Sequence, residues 1–165
     1  YADRLTSGRV AVYSGAVADQ FHAYPRPQET GNKTDVRWMA LTGDGDIGLV
    51  AVGDRVLSAS VWPFDMQELE FVPAVQGAES ASGLVPIPSR HGADIEVGGV
   101  VTWNLDDRQM GVGGDTSWGR PVHEPYTIAP REYSYRFVLI PYQPSQDRPG
   151  ELARGLFTSP SSITR

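Results

Sequence analysis

Residues Tyr133–Leu139 read YSYRFVL. Tyr133, Tyr135, Phe137 and Leu139 share one parity, while Ser134 and Arg136 hold the other. Successive side chains of a strand point to opposite faces, so this period of two predicts a β-strand with an apolar stripe turned toward a core. The strand is read as ending before Pro141. Burial of the stripe predicts that Phe137→Ala costs about 3–5 kcal/mol.

Outward from this stretch the chain carries further short β signals. Asp35–Leu41 (DVRWMAL) and Gly48–Val52 (GLVAV) flank Thr42-Gly43-Asp44-Gly45-Asp46, which reads as a hairpin. Leu57–Trp62 alternates apolar and small polar residues, as a half-buried strand does. Arg9–Tyr13 reads as a short strand. Asp94–Leu105 is the longest β candidate, with Gly98-Gly99 marking a bulge or bend. Pro63–Glu70 is the best helical candidate; Asp65 and Glu68 have capping-box spacing, enough for one or two turns. Ala74–Ala93, rich in Gly, Ala, Ser and Pro, reads as a long surface loop. Gln143–Arg165 has no sustained period and reads as a tail on the surface or ordered by a partner.

Composition agrees with this pattern. Eighteen Gly and thirteen Pro punctuate 165 residues, which with the short β runs points to an all-β sandwich or barrel. A chain of this length forms one domain and buries roughly 70% of its extended-chain surface. The formal net charge is −6 with no basic stripe, so phosphate neutralisation and nucleic-acid binding are set aside. With no cysteine, disulfides and thiolate catalysis are excluded. No apolar run approaches the roughly 20 residues that span a bilayer, and a cytoplasmic setting is the expectation. The chain opens without Met, which reads as a fragment or a processed product.

Motifs of chemistry are few. Asp44-Gly45-Asp46 lacks the further ligands of a calcium loop. Gly111-Val112-Gly113-Gly114 lacks the Lys and helix of a phosphate loop. Asp115-Thr116-Ser117-Trp118-Gly119 misses the first Gly of a nucleophile elbow, and His22, His91 and His123 show no triad or metal-ligand spacing. None of the twenty acids can be named as a glycosidase pair from spacing. What remains is the glycine-rich loop Asp106–Gly119, in which Trp118 is either a core plug or an exposed aromatic platform. Trp38, Trp62 and Trp103 lie in strand patterns and read as core or sheet-face residues.

At this loop the sequence resembles a family. DRQMGVGGDTSWG (Asp107–Gly119) is similar to the C-terminal signature of LacZ-type β-galactosidases of glycoside hydrolase family 2. YPRPQETGNKTDVRWMAL (Tyr24–Leu41), HEPYTIAPREYSYRFVLIP (His123–Pro141) and the opening Tyr1-Ala2-Asp3-Arg4 match in the same order. The resemblance runs over residues 1–142; residues 143–165 extend past the family's usual end. It implies an antiparallel β-sandwich, part of a galactose-mutarotase-like supersandwich. It also implies a retaining hydrolase of terminal β-galactosides whose two catalytic glutamates lie in a separate barrel, so no catalytic residue is expected here. The role implied for Trp118 is stacking against the sugar of the leaving-group or acceptor subsite, with Gly113, Gly114, Asp115 and Ser117 supporting its loop. The implied Mg2+ and Na+ have their ligands elsewhere. The implied partners are a β-galactoside or acceptor sugar and the parent's remaining domains, with a homo-oligomer among the assemblies allowed. Without the earlier strands of the supersandwich, an apolar face or sheet edge needs a partner. Three readings follow: part of one long enzyme, the small subunit of a two-chain enzyme, or a free carbohydrate-binding module.

Overall fold

A computed structural model of the chain describes residues 10–25, 28–70, 91–110, 115 and 121–158. Among these, four strands form one sheet: β1 (Lys33–Gly43), β2 (Ile47–Trp62), β3 (Thr102–Asp106) and β4 (Phe137–Tyr142), with β1 and β4 each antiparallel to β2. The order is β1-β2-β3, with β4 also paired to β2. One α-helix, α1 (Pro149–Thr158), accompanies the sheet. The sheet-dominated, mostly antiparallel architecture is that of the all-β sandwich class.

The chain divides into two compact units, Tyr1–Gly31 with Val61–Thr102, and Asn32–Ser60 with Trp103–Arg165. In the second unit β1 and β2 form the expected hairpin. Asp44–Asp46 makes the turn, with Gly45 at φ 77° and Asp46 at φ 60°. Asp is one of the few non-glycine residues that tolerate this left-handed region. The Asp46 carboxylate also accepts from the Ser145 amide at 2.7 Å. Thr42, Gly48 and Tyr142 lie in register across three strands. The Tyr142 ring lies so close over Gly48 that an added Cβ would come within 2.1 Å of it, and its hydroxyl shares a 2.7 Å hydrogen bond with Thr42.

One face of this sheet is sealed by the chain itself. Val50, Val52 and Tyr142 are buried with Ala153 of α1, and Trp38, Ala40, Ile140, Leu152 and Leu156 pack around them. The segment read as an aperiodic tail therefore contains a helix. Pro149 sits at its first position, where a missing N–H costs nothing, and Glu151 in the first turn complements the helix dipole. Leu152, Ala153 and Leu156 give the i, i+1, i+4 apolar face.

The YSYRFVL stripe behaves differently from its reading. The strand begins at Phe137, not Tyr133, and runs through Pro141 to Tyr142. Tyr133 and Tyr135 are half-buried outside the ladder, with their hydroxyls donating to the carbonyls of Ala129 and Leu105 at 2.8 Å each. Phe137 and Leu139 do not meet a core among the described residues; they are 41% and 47% exposed. They share a face with Leu49 and Leu41, opposite to the face that α1 covers. The apolar face expected to need a partner is thus present. The large penalty expected for Phe137→Ala in this chain is corrected accordingly.

Other expectations shift locally. Leu57–Trp62 is the end of the 16-residue β2 and is buried on both faces rather than one. Of Arg9–Tyr13, residues 10–13 make no ladder, and Val10 and Val12 are exposed; β-branched propensity without a strand edge to pair with does not make a strand. Only Thr102–Asp106 of the long β candidate is a strand. Gly98 and Gly99 both have positive φ, at 116° and 77°. Upstream, His91 and Asp94 form a reciprocal capping box that starts a 3₁₀ turn. Asp65 caps the single turn Met66–Leu69 through the Gln67 amide at 2.9 Å. The first unit is centred on Trp62, Phe64 and Ile95, with Phe21 edge-on to Phe64 at 4.9 Å. The Trp62 indole N–H donates to the Thr30 carbonyl at 2.7 Å. Of the Ala74–Ala93 loop, residues 74–90 lie outside the described residues, as does the Tyr1–Arg4 motif.

These contrasts set a stability order. Phe64→Ala empties a fully buried site and should cost about 3–5 kcal/mol, whereas Phe137→Ala in this chain should cost less than about 1.5 kcal/mol. Denaturant titration of the two variants checks this, and equal losses would contradict the burial pattern.

Candidate functional site

The loop singled out in the sequence grows from the end of β3. Trp118, Gly113, Gly114 and Ser117 lie outside the described residues, whereas Asp107–Met110 and Asp115 lie within them. The Asp115 carboxylate meets His123 Nε2 at 2.7 Å. The two residues on either side of the Trp118 segment are therefore joined by one side-chain contact, and both remain well exposed to solvent.

The root of the loop is held by a feature the sequence reading missed. Between Val36↔Leu57 and Trp38↔Val52, two steps along β1 correspond to five along β2. Strand β2 thus bulges outward over Gly53–Val56. Gly53 is required there, because a Cβ would lie 2.3 Å from the Arg55 carbonyl and 2.7 Å from Leu57 Cγ. A bulge re-aims side chains, and this one carries Asp54 and Arg55 out of the sheet. The Asp54 amide donates to the Arg136 carbonyl at 2.9 Å. Arg55 reaches three groups: Asp54 Oδ1 at 3.5 Å, Asp107 Oδ1 at 3.4 Å and the Ser134 carbonyl. This occupation of residues 134–136 explains why the β4 ladder starts only at Phe137.

Asp107 is the hub. Its side chain is only 10% exposed, and Oδ2 accepts from Arg108 Nε at 2.7 Å. The Arg108 guanidinium lies 5.2 Å from the centroid of the Tyr133 ring, which Arg131 also approaches at 5.3 Å; both are cation–π distances. A cleft of about 310 Å3 opens beside this junction, lined among others by Thr34, Asp35, Arg55, Ser58, Asp107 and Gln109. The signal for the bulge was in the sequence: Gly53-Asp54-Arg55 interrupts an otherwise apolar strand, and glycine inside a strand pattern marks a bulge or close approach.

Acid chemistry is sparse here. Burial raises the carboxyl of Asp106, at the end of β3, above its ordinary value. Desolvation is the only cause, so the raise does not come from a second carboxylate, as it would in an acid dyad. Among the described residues no group of three or more His, Asp or Glu is placed to hold a metal ion. No described helix is long and apolar enough to cross a membrane.

With this geometry in place, comparison with known proteins is informative. The family model described as beta galactosidase small chain matches residues 1–139. The chain belongs to the β-galactosidase small-chain family. Curated relatives agree with the family match. A β-galactosidase of Priestia megaterium is 35% identical over 142 residues, covering 86% of this chain and 12% of the relative. One of Halalkalibacterium halodurans is 33% identical over 129 residues, 78% of this chain and 11% of the relative. One of Lactobacillus delbrueckii subsp. bulgaricus is 34% identical over 144 residues, again 86% and 12%. The chain thus spans about one-eighth of the length of these β-galactosidases. The match to the small-chain family stops at Leu139, within β4, so α1 lies beyond it.

Asp106 yields a pH test. A folded-state value raised above 3.8 means that the fold is favoured while the group is protonated. That contribution is full below the unfolded value and is lost as pH rises through the raised one. Asp106→Asn should therefore be more stable than the parent at pH 7, with the difference closing below about pH 4. Thermal unfolding of both forms from pH 3 to 7 measures it, and a difference that widens toward acid would contradict the burial origin.

Proposed function

We propose that this chain is the C-terminal β-sheet portion of a β-galactosidase, contributing an active-site rim while the catalytic carboxylates come from elsewhere in the enzyme. One observation carries the reading: the small-chain family match spans residues 1–139, and the matching stretch is only 12% of the β-galactosidases it resembles. The reaction is hydrolysis of terminal β-galactosides with retention, in which two carboxyls about 5 Å apart act as nucleophile and acid/base. This chain's part is to bind and orient. The glycine-rich loop presents Trp118, whose indole offers a broad apolar face to a pyranose and one N–H donor. Gly113, Gly114, Asp115 and Ser117 brace that loop, with the Asp115–His123 contact joining its flanks.

The partner is the remainder of the same enzyme. The sheet face bearing Leu49, Phe137 and Leu139 is open and apolar, as expected of a sandwich layer whose opposite layer belongs to another part of the assembly. The relatives carry the matching stretch as 11–12% of one long chain, which supports a portion of a single enzyme; a separate small subunit is the alternative. Assembly into a supersandwich and a cytoplasmic setting belong to the same proposal.

Two measurements test it. The purified chain alone should not hydrolyse a nitrophenyl galactoside, and turnover abolished by changing one of its own acids would overturn the reading. In the complete enzyme, Trp118→Ala should weaken lactose more than an aryl galactoside in kcat/KM, by about 1–3 kcal/mol. Equal losses on both substrates with a marked fall in thermal stability would make Trp118 a core plug instead.

A further inference from the structure

We propose that the cleft between β1, the β2 bulge and the end of β3 binds a neutral, hydroxyl-rich ligand of the saccharide class. The backbone itself makes this cleft. From Lys33↔Ala59 to Val36↔Leu57, three steps along β1 match two along β2, so β1 bulges at Thr34–Asp35. Directly beyond, β2 makes its own bulge at Gly53–Val56. Two successive bulges on facing strands open the sheet, and about 310 Å3 lies between them and Asp107–Gln109. That volume is at the low end for small-molecule sites, and bulges re-aim side chains next to such sites. The described lining residues all belong to the second unit.

The lining selects the chemistry. Among its described residues Asp35 and Asp107 balance Arg55 and Arg108, so the wall has no net formal charge. A free cation would meet two guanidiniums, and an anion two carboxylates. A sugar hydroxyl is donor and acceptor at once, and this wall offers both roles. The side chains of Asp35 and Gln109 have no hydrogen-bond partner among the described residues, and Val56, 45% exposed, adds an apolar patch for the C–H face of a pyranose. Two further observations mark the cleft as built for an occupant. Asp35 is held at φ 55°, a left-handed conformation that costs a non-glycine residue and gathers at ligand clamps. Asp107 keeps Oδ1 buried without a hydrogen-bond partner, with Arg55 Nη1 3.4 Å away, a state that is disfavoured for a buried acceptor. The half-exposed Arg55 side chain is the movable wall past which a ligand hydroxyl reaches that oxygen.

The test is an NMR titration of the full chain with lactose, with methyl β-galactoside and, as a contrasting anion, with inorganic phosphate. A sugar should bind saturably and shift the backbone amides of Thr34, Asp35, Val56 and Gln109. Asp35→Asn, which keeps a residue that tolerates positive φ, and Gln109→Ala, at an exposed position, should each weaken that binding by about three- to tenfold. Circular dichroism checks that both variants are folded, and Gln109→Ala decides alone if Asp35→Asn is not. Four results would each overturn the proposal. Neither sugar binds saturably; the folded variants bind as tightly as the parent; phosphate binds in place of sugar; or the shifts are confined to the Trp118 indole while those four amides stay still.

Discussion

The contact on which the second unit depends is the departure of β2 from regular pairing at Gly53–Val56. A strand of sixteen residues cannot both follow β1 and leave room for the segments that precede β4 and follow β3. The extra residues resolve that conflict. They set where the β4 ladder can begin, fix the approach of Ser134 and Arg136, and bring Arg55 to Asp107. Without Gly53 the turn of the bulge would collide with Leu57 and with its own backbone. Residues far apart in sequence are joined there because one backbone position has no side chain.

The two faces of the sheet then meet different fates. Tyr142 over Gly48, with Trp38, Val50 and Val52, forms a surface that α1 closes. The opposite surface keeps Leu49, Phe137 and Leu139 open. A helix on one face and an unfilled apolar face on the other give the chain a defined polarity for assembly. The second face offers apolar area whose burial would drive association.

Much of this was legible in the residues. The hairpin was written in the apolar runs on either side of Asp44-Gly45-Asp46, and the sheet class in the spacing of glycine and proline. The loop signature around Gly113, Gly114 and Trp118 located the family that the comparison then returned. What stayed hidden depended on contacts rather than pattern. The stripe at Tyr133–Leu139 has the period of a strand throughout, but hydrogen bonds from the bulge hold its first half out of the ladder. Burial of Phe137 and Leu139 needs a covering layer that this chain does not hold among its described residues. The helix at Pro149–Thr158 was obscured by Gly150 and Gly155, which weaken helix propensity; its apolar face becomes meaningful only against Val50 and Tyr142. Arg55 and Asp107 carry no motif at all, and their pairing follows from the bulge.

The position of Gly150 has a spectroscopic consequence. A Cβ there would stand 3.4 Å from the six-membered ring of Trp38, so the first turn of α1 is the lid of that indole's environment. Trp62, by contrast, is packed parallel to Phe64 with its N–H engaged by the Thr30 carbonyl, in the other unit. The chain therefore carries one emitting group whose surroundings change when the helix lifts and another that reports on a different core. With Trp38 as the sole fluorophore, a red shift with the sheet's circular dichroism intact would register undocking of α1, distinct from loss of the sheet itself.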